Sequence, residues 1–141
     1  MASGGADTEL VTPDLFAIKA GAFLWIEAKH KTAFTWYGRT GTFQTGVDAR
    51  HFRDYVEVQQ QTGVDVWLMF LHSDSRTRAE DVARWGAPLR CPVGLFGNTL
   101  GALAADVDHK SDRYGHGGML YWRAEQLRLL APLEEVAARE W

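Results

Sequence analysis

A single cysteine in 141 residues cannot form an internal disulfide, so the fold has no oxidised framework. Long apolar runs are also missing. The stretches 23–26 and 66–71 are a few residues each, against the ~20 that span a bilayer. The opening Met1-Ala2-Ser3-Gly4-Gly5 carries neither the basic nor the apolar region of a signal peptide. The cytoplasm is therefore the expected compartment, with no membrane partner. Cation excess is lacking as well: 15 Lys and Arg against 18 Asp and Glu leave a net charge of −3, so the molecule as a whole does not attract a polyanion. There is no Gly-x-Gly-x-x-Gly and no Walker lysine loop for a nucleotide cofactor. Cys91 has no companion with which His72, His109 or His116 could complete a zinc signature.

What is present is enough to fold. Apolar residues make up 46% and aromatic residues 12% of the chain, which excludes wholesale disorder and suits one compact domain. Residues 1–12 are small, polar and without apolar periodicity, and read as a flexible N-terminal arm; 13–141 form the expected domain. Two short apolar runs around a glycine turn, 15–19 and 23–29, predict a strand hairpin. The second run is apolar on both faces up to Glu27, as in a central strand covered by helices. Glycines among β-branched and aromatic residues predict a further hairpin or extended loop over 32–45. A helix follows over 48–61: Asp48 can cap it, Phe52, Tyr55, Val56 and Gln59 share a face, and Gly63 stops it. Beyond it come a buried strand over 64–72, a helix over 77–85, a short strand over 93–96 and a helix over 99–106. A glycine-led strand over 115–122 and a helix over 132–140 complete the chain, with 108–112 read as a polar turn. The order implies an α/β class: a single-domain sandwich with a mixed central sheet flanked by helices.

Chemistry concentrates at the hairpin. Strand side chains alternate, so Glu27 and Lys29 project from one face while Ala28 points away. Asp14, at the start of the paired strand, can bring its carboxylate towards Glu27. Two carboxylates meeting at a strand end make a hard-oxygen site for Mg²⁺ or Mn²⁺, with the carbonyl of Ala28 as a further ligand. Beside such an ion, Lys29 would position a water or neutralise phosphoryl oxygens, which is the chemistry of phosphodiester hydrolysis. An ordinary salt-bridged strand end, with Asp14 capping a turn, is the competing reading.

Charge is unevenly spread around this point. Between Lys29 and Arg53 lie Lys29, Lys31, Arg39, Arg50 and Arg53 against the single acid Asp48, a local charge of +4. Phe34, Trp36, Tyr37 and Phe43 are interleaved with those cations. That pattern suits a surface gripping phosphates and packing on sugars or bases, or equally a small hydrophobic cluster.

Pro13-Asp14, a glycine turn, an apolar run and then Glu27-Ala28-Lys29 followed by a polar helix resemble the layout of the PD-(D/E)XK nuclease superfamily, which includes restriction-endonuclease-like and Holliday-junction-resolvase-like folds. The resemblance covers roughly residues 12–72. It implies a Mg²⁺-dependent endonuclease-like enzyme on DNA, or on RNA, with Asp14 and Glu27 as metal ligands and Lys29 as the catalytic lysine. In similar nucleases a polar residue of the following helix reaches the active site, which makes His51 or Tyr55 the auxiliary residue here. Lys31, Arg39, Arg50, Arg53 and Trp36 then become candidates for the nucleic-acid surface, and a homodimer is expected for cutting both strands. Many members carry a helix before the Pro-Asp strand that adds a glutamate, whereas here twelve residues precede Pro13. That difference motivates the alternative expectation of a catalytically inactive nuclease fold that binds DNA or serves in assembly.

Overall fold

In a computed structural model of the chain, residues 13, 15–19, 22–115 and 117–138 are described. Strands β1 (Leu15–Lys19) and β2 (Ala22–Lys31) pair antiparallel, Leu15 opposite Ile26 and Lys19 opposite Ala22. The expected hairpin is therefore present. A second hairpin, β3 (Thr35–Tyr37) and β4 (Thr42–Asp48), leads into helix α1 (Ala49–Thr62), which Gly63 ends in a left-handed conformation with φ 67°. The chain then returns as β5 (Asp65–His72), parallel to β2, with Lys29 opposite Phe70. The second hairpin and α1 thus both belong to one crossover between two adjacent parallel strands.

Helix α2 (Ala79–Trp85), strand β6 (Gly94–Thr99) and helix α3 (Leu100–Ala105) follow, and the Thr99 hydroxyl caps α3 by accepting from the Ala102 amide at 3.2 Å. Next come β7 (His109–Ser111), β8 (Met119–Arg123), a 3₁₀ turn at Ala124–Gln126, β9 (Arg128–Ala131) and α4 (Leu133–Ala138). Two sheets result. The larger has the order β1-β2-β5-β6-β9 and is mixed, and the smaller has the order β3-β4-β8-β7 and is antiparallel. The class is α/β with a mixed sheet, as the sequence pattern predicts.

Strand β5 alternates strictly, burying Val66, Leu68, Phe70 and His72. Phe52 of α1 and Phe70 lie 5.5 and 6.4 Å, ring to ring, from Trp122 of β8. The Trp122 indole is fully buried and donates to the Leu103 carbonyl at 2.9 Å, so one side chain joins β8, α3 and the core of the larger sheet. Among the described residues, no helix is long and apolar enough to cross a membrane.

Several local expectations are corrected. Strand β2 is only partly covered: Phe23 is 52% exposed, and Ala28 and His30 face outward. Helix α1 packs on β4 and β5, and α3 on β5 and β6. Asp48 precedes α1 without a side-chain capping bond. Its place is taken by the carbonyl of Gly118, which accepts from the Ala49 amide at 2.9 Å. The 108–112 segment is not only a turn, because β7 lies within it and pairs with β8. Residues 115, 117 and 118 precede β8 rather than beginning it. Gly118 has φ 92°, and a side chain there would stand 2.7 Å from the Ser111 carbonyl oxygen. Strand β9, whose Arg-Leu-Leu-Ala text has no alternation, was not expected.

Candidate active site

Period-two alternation places Glu27, Lys29 and Lys31 on the same side of β2. Glu27 is 4% exposed, and its Oε2 lies 3.1 Å from the Lys29 Nζ. Helix α1 closes this point from above. Tyr55, fully buried, sets its ring 5.8 Å from the Lys29 ammonium. A buried acid, a half-buried amine and a phenol thus form one polar cluster at the edge of the core.

Burial by itself would lower the pKa of Lys29. The pairing with Glu27, and after it the neighbouring Tyr55 phenol, outweigh burial and hold the amine above its ordinary range. Lys29 is therefore an ammonium at any physiological pH. Lys31 moves the other way: burial, and then the neighbouring Lys29 charge, lower it, with Asp48 in partial opposition. The two amines share a cleft of about 120 Å³ with Asp48, His51, Val47 and Met119. Such a cleft presents cations to whatever enters it.

The structure brings five of the sequence candidates together: Glu27, Lys29, Lys31, His51 and Tyr55. His51 lines the cleft with its Nδ1 3.6 Å from the Asp48 carboxylate, its ring 6.5 Å from that of Tyr55. Gln59, next in the same helical series, has a structural task, accepting from the Val66 amide at 2.9 Å to tie α1 to β5. Arg50 and Arg53 are exposed on α1, with the Arg53 guanidinium beside Gly117. Arg39 is exposed in the β3–β4 turn and lines a separate hollow. Trp36 packs on Phe43 at 4.8 Å, ring to ring, and its amide donates to Asp81 of α2 at 3.2 Å, away from the cleft. Phe34, read in sequence as part of the same aromatic surface, is fully buried in the core and stacks on His72 at 3.6 Å.

Two lining residues escaped the sequence reading. Asp48 reads locally as a helix cap, yet its position beside a run of cations is a signal for an electrostatic task. Met119 comes from β8, far along the chain, and no local pattern announces it.

As for the metal, Glu27 supplies a hard oxygen donor of the kind Mg²⁺ prefers. No group of three or more His, Cys, Asp or Glu able to hold an ion stands among the described residues. Asp14, the expected second ligand, lies outside them.

No family model matches this chain, and no curated protein does. Among solved structures, it is similar to Hjc, a Holliday junction resolvase from the archaeal hyperthermophile Archaeoglobus fulgidus. The two are 11% identical with a TM-score of 0.48, over 96% of this chain and 82% of that one.

Proposed function

We propose that the protein is a metal-dependent nuclease that hydrolyses phosphodiester bonds of DNA at the cleft beside Lys29. The observation that carries this reading is the buried Glu27 carboxylate at 3.1 Å from the Lys29 ammonium, with Lys31 on the same strand face. A phosphodiester entering the cleft meets two amines. Lys29, held in place by Glu27 and Tyr55, neutralises the non-bridging oxygens as negative charge grows on them during attack by water. Lys31 adds a second positive charge, and His51 stands where it can orient that water or the departing oxygen. The attacking water forms the new P–O bond, the ester P–O bond breaks, and the leaving oxygen takes up a proton.

In this reading Glu27, with Asp14, holds Mg²⁺ or Mn²⁺. When bound, that ion supplies Lewis acidity to the phosphate and a more acidic water. Exposed Arg50 and Arg53 extend the positive surface along α1. Supercoiled plasmid with Mg²⁺ or Mn²⁺ tests the proposal. Nicked product is expected with the ion and should vanish on chelation and in Glu27→Gln. Nicking that survives both, or none under any condition, overturns it; salt-sensitive DNA binding without nicking would favour a catalytically silent module. A homodimer belongs to the same reading, because cutting both strands takes two such centres. Light scattering at micromolar concentration should give the dimer mass, and a monomer counts against that part.

A further inference from the structure

The face of the small sheet that brings Met119 to the cleft continues away from it at Tyr121. Tyr37 of β3, His109 of β7 and Tyr121 of β8 form a row of stacked rings across that face, with centroids 4.1 and 4.8 Å apart and planes within 16°. The row lines a hollow of about 360 Å³ that is also bordered by Arg39, Lys110 and Arg113. Tyr114, 61% exposed, stands at its mouth. A volume of that order is typical of ligand clefts, and aromatic rings among cations match the π-face and phosphate of a nucleotide. The nearby acid is already engaged, since Asp108 bonds His109 at 2.8 Å and Arg123 at 3.1 Å.

This hollow is joined to the catalytic cleft. Between them lies a third depression of about 170 Å³, lined in part by Lys31, Thr35, Gln44, Met119 and Tyr121. It shares Lys31 and Met119 with the cleft, and Gln44 and Tyr121 with the aromatic hollow. Gly46 opens its floor: a side chain there would strike the Tyr121 ring at 2.7 Å and the Leu120 carbonyl at 2.6 Å.

We propose that these three depressions form one track for a single DNA strand, running from the phosphate at Lys29 across the small sheet to an unpaired base seated among Tyr37, Tyr114 and Tyr121. The inference rests on the nuclease reading and deepens it, since a duplex keeps its bases stacked and hides the faces that such rings recognise. The substrate class is therefore DNA with a single-stranded or frayed segment beside the scissile bond.

The test is fluorescence anisotropy with a fluorescein-labelled oligodeoxythymidine of about twelve nucleotides, and a duplex of equal length, without divalent ion. The wild-type protein should prefer the single strand. Arg39→Ala/Arg113→Ala, both exposed positions, should lose about tenfold or more in affinity and flatten the salt dependence by roughly two phosphates' worth. Tyr114→Ala should lose about tenfold with the salt slope unchanged, and Tyr37→Phe should lose nothing. Equal affinity in the arginine and Tyr114 variants, or a preference for duplex, overturns the inference. The two readings fail separately. Glu27-dependent nicking with binding unmoved in the track variants leaves the nuclease standing alone, whereas track-dependent binding without nicking removes the nuclease and keeps the track.

Discussion

Lys29→Met is expected to cost the fold roughly 2 kcal/mol and hydrolysis roughly a hundredfold or more. Glu27 is buried, and without the ammonium at 3.1 Å its carboxylate loses that partner in a medium that solvates charge poorly. A fully enclosed pair loses ~3–5 kcal/mol on such a cut. The Lys29 side chain is 27% exposed, so water softens the loss here. The larger effect is chemical, since removing one preorganised donor to a developing negative charge typically costs ~10²–10³ in rate. Urea melts and plasmid turnover read the two effects apart. The double variant Glu27→Gln/Lys29→Met should recover most of the stability, because no charge remains buried, while staying inactive. A Lys29→Met protein as stable as wild type, or a double variant no more stable than the single one, would sink this account of the pair.

Acid should weaken the protein through His72. Its ring is 1% exposed, stacked on Phe34 and edge-on to Phe96 at 6.2 Å. Burial, and after it the charges of Lys31 and His30, lower its pKa from 6.5 to about 4, against a contact with the Thr32 backbone that favours the charged form. The unfolded chain therefore takes up this proton near pH 6.5, and the folded one does not until about pH 4. Stability from the neutral ring is complete above 6.5, falls as pH drops through that window, and levels below it. The whole step amounts to about 3 kcal/mol. Denaturant melts from pH 7 to 4, compared with His72→Leu, isolate it from the carboxylates that titrate nearby. Parallel pH profiles in the two proteins would show that the imidazole contributes nothing.

These two predictions use residues that differ in how far their text revealed them. The Glu27–Lys29 pair was legible because a strand has a period of two, and no tertiary information is needed to put residues two apart on one side. Tyr55 was legible in part: helical spacing assigned it to the site face, but its complete burial depends on the core that α1 joins. The buried strand put His72 at the core edge, but its full enclosure needs Phe34 from a loop and Phe96 from another strand. In the small sheet the β3–β4 hairpin and β8 were legible, but their pairing with each other and the strand β7 were not, for the same reason. Its β7 is three polar residues with no apolar rhythm, and it is a strand because β8 is beside it. Asp48 shows a different failure, where two local meanings, helix cap and cleft acid, compete for one side chain and a distant carbonyl decides between them.

Strand β8 pairs with β4 inside the crossover that separates β2 from β5. A ribosome therefore makes Glu27, Lys29 and Tyr55 well before Met119, which lines the cleft with Lys29. A nascent chain holding the acid, the amine and the phenol still has no cleft in which to use them. The cleft is thus incomplete until synthesis has passed β8, a delay imposed by strand order alone.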